Sequence, residues 1–279
     1  MSLTKIILTT MTASAFTIAG AQAAAITVAY WDFDTGVGNI EDSVGGIPTV
    51  AVGSPDISTH ATYGASGGSG GNSLNTVISG SDYVSGDVFG IGSSSALDFG
   101  VGDFSVSFWL YNDTSDSDAR GMRAFDMMDG TNAGLQVLAT DTPGPNIRVE
   151  GSGGSEIIIN QGIYLDDVWQ HVAITMDRAG DASVYVNGSL SGIGIDITSL
   201  VGNVNPTRDI TIGVNTIGGT AGGTQSGAID DLAFYTGILS AGEISDLAAG
   251  TITPDQIPEP SSSALIGLSG LALLLRRRR

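Results

Sequence analysis

Residues 26–250 predict an all-β sandwich or jelly roll that carries one short helix near its C-terminal end. Three observations predict it. Short apolar runs alternate with a period of two, the pattern of strands that bury one face. These runs are separated by turns rich in Gly, Asn and Asp, as in sandwiches and jelly rolls. Composition is the third: of 279 residues 41 are Gly, 42% are hydrophobic and none is Cys. Such a chain can bury a core but has no disulfide framework, zinc-thiolate site or thiol nucleophile.

The elements follow in order. Ile26 to Phe33 reads as a first strand. In Phe104-Ser105-Val106-Ser107-Phe108-Trp109-Leu110-Tyr111 the residues Phe104, Val106, Phe108 and Leu110 share one face, while Trp109 and Tyr111 point the other way. Leu135 to Ala139, Ile147 to Glu150 and Glu156 to Ile159 are shorter strands. Trp169 to Met176 is a long one, followed by a turn at Gly180-Asp181. Ser183-Val184-Tyr185-Val186 runs into Asn187-Gly188, a strong hairpin signal because both residues accept positive φ. Ile210-Thr211-Ile212 and Ala228 to Phe234 complete the strands. Ser240-Ala241-Gly242-Glu243 is a capping box, in which hydroxyl and carboxylate satisfy each other's orphan amides. Ile244, Leu247 and Ala248 then share a helix face, and Gly250 ends it. This helix is expected to pack on the sandwich edge. Gly64 to Gly71 reads as a flexible hairpin loop. It is no phosphate loop, because that needs Gly-Lys-Ser/Thr and no Lys follows Lys5.

Both ends read as addresses. Lys5 precedes an uncharged apolar stretch from Ile6 to Ile18, and Ala21-Gln22-Ala23 fits the small-x-small cleavage rule. Residues 1–23 are therefore a signal peptide and the mature chain starts at Ala24, or after a cut following Ala25. At the other end, residues 251–260 form a linker that closes on Pro258-Glu259-Pro260. Residues 261–279 contain serines, an apolar run from Ala264 to Leu275, and Arg276, Arg277, Arg278 and Arg279. The run is shorter than the ~20 residues that span a bilayer as a straight helix, but the arginines supply a positive-inside stop. This order of parts resembles the PEP-CTERM sorting signal of Gram-negative bacteria. The resemblance implies a transient inner-membrane anchor helix, an exosortase-type processing enzyme that cuts near the Pro-Glu-Pro motif, and delivery to the cell surface or an extracellular matrix.

Charge narrows the partners. Between Lys5 and the terminal arginines lie only five basic residues, Arg120, Arg123, Arg148, Arg178 and Arg208, against 29 acidic ones, a net charge of −24. Such a surface repels nucleic acid and anionic lipid. Most of the acids are Asp, a residue of turns and the preferred short ligand for Ca²⁺.

The body also resembles a family. Tyr30-Trp31-Asp32-Phe33-Asp34 with Asp42-Ser43-Val44-Gly45, Phe104 to Trp109, Trp169 to Ala173 with Val184 to Gly188, and Gly227 to Phe234 with Leu239 to Ile244 are similar to LamG-like, concanavalin A-like jelly-roll domains. Together they span nearly all of residues 24–250 in order. The resemblance implies a lectin- or glucanase-type sandwich. It also implies a structural calcium ion near the first and last strands, at the matching positions Asp34, Asp42 and Asp230.

Catalysis finds little support. Glucanases of this fold carry paired acids on one strand, and no such motif occurs among Glu41, Glu150, Glu156, Glu243 and Glu259. Glu150 and Glu156 flank a Gly-rich turn and can face each other across a hairpin. Only His60 and His171 could serve as a base, and His171 reads as structural. Trp31, Trp109 and Trp169 fall in strands as packing residues, while Tyr63, Tyr83 and Tyr164 are loop-like. The expectation is a non-enzymatic, exported, carbohydrate-binding module for exopolysaccharide or a surface glycan. The alternatives are a structural or adhesive matrix protein that binds other proteins, and a divergent carbohydrate-active enzyme.

Overall fold

The computed structural model describes residues 23–34, 42–47, 49–53, 56–58, 67–68, 71–76, 87–91, 95–113, 122–128, 133–139, 146–160, 167–205, 210–212 and 227–257. Ala21, Glu41, His60, Tyr63, Tyr83, Tyr164, the Pro258-Glu259-Pro260 motif, the apolar run after it and Arg276 to Arg279 lie outside these residues.

The strands are β1 (Ile26–Trp31), β2 (Thr49–Gly53), β3 (Asp56–Ser58), β4 (Ser73–Thr76), β5 (Asp87–Ile91), β6 (Phe104–Asn112), β7 (Met122–Asp126), β8 (Gly134–Ala139), β9 (Asn146–Glu150), β10 (Glu156–Asn160), β11 (Trp169–Met176), β12 (Asp181–Val186), β13 (Ser189–Leu190), β14 (Ile195–Asp196), β15 (Ile210–Ile212) and β16 (Gly227–Thr236). One helix, α1 (Ala241–Ala248), follows. Among the described residues the strands form two antiparallel sheets. The larger runs β13-β12-β11-β6-β16-β4-β3, with β1 also on β16 and β14 on β12. The smaller runs β10-β9-β8-β7-β15-β5-β2.

The expected alternation is present and places the core. Phe104, Val106, Phe108 and Leu110 of β6 meet Phe125, Leu135, Val137, Ile147, Val149, Ile210 and Ile212 of the opposite sheet in one apolar cluster. Phe234 is the hinge of its aromatic part. Its ring lies 5.4 Å from Phe125 and 6.2 Å edge-on from Trp31. Each such side chain contributes about 1.5–3 kcal/mol by leaving water.

The outer face of the larger sheet is covered as well, which the alternation alone does not reveal. A second cluster joins Ala25, Tyr30, Ala173, Ala233, Tyr235 and Leu239 to Ile244 and Leu247 of α1 and to Ile257. The helix thus packs on the sheet's outer face rather than on the sandwich edge. Its capping box is as read: Ser240 accepts from the Glu243 amide, and Glu243 accepts from the Ser240 amide. Gly250, at φ +62°, turns the chain beyond it.

Two expectations change here. Residues 251–257 are not a free linker: Pro254–Gln256 form a 3-10 turn, and Pro254 and Ile257 are buried. Gly67 and Gly68 are not part of a loose loop. A Cβ on Gly67 would stand 2.3 Å from the Trp109 ring, and one on Gly68 would stand 1.7 Å from Asp231 Oδ2. Small residues are needed there for close approach, not for flexibility. Ala25 is fully buried, so a cut after Ala23 keeps it in the second cluster and a cut after Ala25 does not.

Candidate functional site

The outward face of the smaller sheet carries a polar row. In β8, β9 and β15 one polar residue sits between two core residues: Gln136 between Leu135 and Val137, Arg148 between Ile147 and Val149, and Thr211 between Ile210 and Ile212. Period-two alternation turns each of the three away from the inter-sheet core. Strand pairing then aligns them. Thr211 is opposite Asp126, Asp126 opposite Gln136, Gln136 opposite Arg148, and Arg148 opposite Ile158. At the usual strand spacing the row is about 19 Å long.

Its two ends differ. At the inner end Asp126, Gln136 and Thr211 are nearly or fully buried. Asp126 accepts from Gln136 Nε2 at 2.9 Å and from the Met128 amide at 2.9 Å. The outer end is open. Arg148 Nη2 donates to Glu150 at 3.2 Å and to Glu156 at 2.9 Å, and these three side chains keep 14–34% of their surface in solvent. Glu150 and Glu156 do face each other across the β9–β10 hairpin. Arg148 stands between them as a shared counter-ion. Reading residue by residue from the sequence misses Asp126, Gln136 and Thr211. The signal was available: three apolar triplets, each interrupted by one polar residue in the same phase.

A second polar group lies beneath the second cluster. A cavity of ≈ 10 Å³, room for about one water, is lined by Ser107, Trp109, His171 and Asp231 and roofed by Leu247, Ile252 and Pro254. Ser107 Oγ is 2.9 Å from Tyr235 Oη. Tyr30 donates its phenol hydrogen to Asp231. Asp231 adopts φ +49° at an irregularity where β16 slips its register on β6 between Asp230 and Ala233. His171 packs edge-on to Trp109 at 5.5 Å, and its Nδ1 finds no partner among the described residues. Burial pushes its pKa down to about 3, so at neutral pH it is an uncharged packing residue. Its backbone holds the Asn187-Gly188 turn: the His171 amide donates to Asn187 Oδ1, and the Asn187 amide donates to the His171 carbonyl. Trp31 is fully buried and Trp109 nearly so. Trp169 is half-buried against Tyr111 at 5.7 Å.

The three aspartates expected to hold calcium do other work. Asp42 accepts from the amides of Tyr30, Val44 and Ile47 and so fastens its turn to β1. Asp34 accepts from the Asn72 amide, and its carbonyl accepts from Asn72 Nδ2. Asp230 accepts from the Asp231 amide. Ca²⁺ needs six to eight oxygens around one point. Among the described residues no group of three His, Asp or Glu side chains is placed to hold a metal ion.

Two antiparallel sheets packed face to face, one with a polar row on its outward face, form a β-sandwich. The chain belongs to the concanavalin A-like lectin/glucanases superfamily, whose sequence profile matches residues 79–245. Residues 256–279 match the PEP-CTERM protein-sorting motif. No protein of curated function matches the sequence. Among solved structures, the binding domain of Paraclostridial Mosquitocidal Protein 1 is similar at TM-score 0.61 and 17% identity, over 80% of this chain and 51% of that one. The binding domain of botulinum neurotoxin serotype G is similar at TM-score 0.61 and 17% identity, over 80% and 50%. The ligand binding domain of serotype D, solved in complex with N-acetylneuraminic acid, gives TM-score 0.59 and 15% identity, over 80% and 50%. The chain thus spans about half the length of these structures, and at such identities the likeness is one of fold. The sorting motif marks an exported surface protein. No described helix is long and apolar enough to cross a membrane.

Proposed function

We propose that the chain is a non-catalytic glycan-binding module, exported and sorted to the bacterial cell surface or extracellular matrix by its C-terminal signal after transient anchoring and removal of the tail by an exosortase-type enzyme. The observation that supports glycan binding most is the polar row on the smaller sheet. Sugars are recognised by a few fixed donors and acceptors set in a stable surface. Arg148 offers donors and Glu150 and Glu156 offer acceptors, all at the open end of the row and held by one another. Arg148 bridges the two carboxylates, so they do not stand free on either side of a bond as a glycosidase pair does. The ligand is an exopolysaccharide or surface glycan.

The test is a glycan array with the Ala24–Ile257 body and its Arg148→Ala variant. Specific binding by the native body, weakened about tenfold or more in the variant, is expected, since one charged hydrogen bond is worth about 1.5–3 kcal/mol. Silence of the native body would instead favour an adhesive module that binds protein. Val101 and Val201 are exposed on loops that Arg178 ties together through the carbonyls of Gly100, Leu200 and Gly202, and they would be the first surface to probe.

A further inference from the structure

The sorting motif begins inside the fold. Its match starts at residue 256, yet Gln256 and Ile257 are parts of the packed body. Gln256 Oε1 accepts from the Thr253 amide at 3.0 Å and closes the 3-10 turn. Ile257 is only 6% exposed and belongs to the second cluster. Thr27 of β1 donates its hydroxyl to the Pro254 carbonyl at 2.6 Å. Ile252 packs on the same cluster. Upstream, Gly250 lies so close to the Gly67 carbonyl that a Cβ would stand 2.4 Å from it. Residues 251–257 are therefore a docked strap, and Pro258 follows its last buried residue directly.

Asp255 on the strap is near enough to Asp32 to add, after burial and Asp34, to the rise of that carboxyl above its usual range.

We propose that the docked strap withholds the upstream side of the Pro-Glu-Pro motif from its processing enzyme, so that undocking of residues 251–257 limits the rate of tail removal. The inference rests on the sorting reading above. A protease that binds its substrate extended across a cleft needs residues on both sides of the cut. Here the upstream ones are occupied by the fold until the strap lifts.

The experiment follows tail loss by pulse-chase and mass spectrometry, using the full chain in cells that make an exosortase-type enzyme. A Gly-Ser-Gly-Ser insertion between Ile257 and Pro258 leaves the strap docked and moves the motif clear of the body. Tail removal severalfold faster than in the native chain is expected. Thr27→Val, which removes the bond to the Pro254 carbonyl, is expected to speed it as well, and the melt of the released body shows that it still folds. An insertion chain processed at the native rate or more slowly overturns the proposal. The control replaces Pro258, Glu259 and Pro260 by alanine in the native chain. Normal tail loss there would overturn the sorting reading itself, a different failure from an unresponsive spacer.

Discussion

His171 shows what one buried residue does to the pH dependence of this fold. Its imidazole is 2% exposed, packed on Trp109 and roofed by the strap. Burial holds its pKa near 3, against an ordinary value of 6.5. Between those two values the unfolded chain binds a proton that the folded chain refuses. Stability is therefore full above pH 6.5 and falls as the pH drops, by about 1.4 kcal/mol per pH unit. Asp32 works in the opposite sense: its raised carboxyl takes up a proton before the unfolded one does, which stabilises the fold as the pH falls. Comparison with His171→Gln separates the two. The native body is expected to lose melting temperature steadily from pH 6.5 to about 4.5, and the variant is expected to lose distinctly less. Equal slopes would show that His171 is not the titrating group.

At the scale of elements, the long strands and the helix were legible in the sequence. Trp169–Met176 and Ile210–Ile212 have the expected bounds, and Phe104–Asn112 differs by one residue. Their apolar alternation is strong because the opposite sheet demands it. Asn187-Gly188 forms the turn read there, with φ +49° and +78°. Strands β2 to β5 and β7 were not read. Ser73-Leu74-Asn75-Thr76 has one apolar residue, and in Asp87-Val88-Phe89-Gly90-Ile91 the apolar Val88 and Phe89 are adjacent, so neither segment shows a clean alternation. They take their conformation from pairing with a neighbour, which no local pattern records. The candidate site was less legible still. Arg148, Glu150 and Glu156 were visible as charges, but their shared geometry depends on register. The strap was misread for a similar reason. Thr251-Ile252-Thr253-Pro254 has a linker's composition, while its burial comes from a sheet face more than 200 residues upstream at Thr27. If the strap completes the second cluster, a body ending at Gly250 lacks Ile252, Pro254 and Ile257. It should be less stable than one ending at Ile257 by about 3 kcal/mol, the worth of one to two buried side chains. Coincident denaturant midpoints for the two fragments would show that the second cluster stands without the strap.

Across the whole molecule, charge and metal make opposite predictions about the same melt. In the stretch between Lys5 and the terminal arginines only five arginines offset 29 acidic residues, a net charge of −24. Self-repulsion of this size weakens the compact state. Raising monovalent salt from about 0.01 to about 0.15 M shortens the screening length from about 30 to about 8 Å, so the melting temperature of the Ala24–Ile257 body should rise by a few degrees. Calcium is separable from this effect by working at constant ionic strength. Asp42 spends both oxygens on backbone amides, and Asp34 and Asp230 also accept from backbone amides. Such carboxylates fasten turns with or without an ion. Chelator at fixed ionic strength is therefore expected to leave the melt in place while salt moves it. A drop in chelator that calcium alone restores would return Asp34, Asp42 and Asp230 to the ligand role that the family resemblance implied, and would require their present backbone bonds to rearrange around the ion.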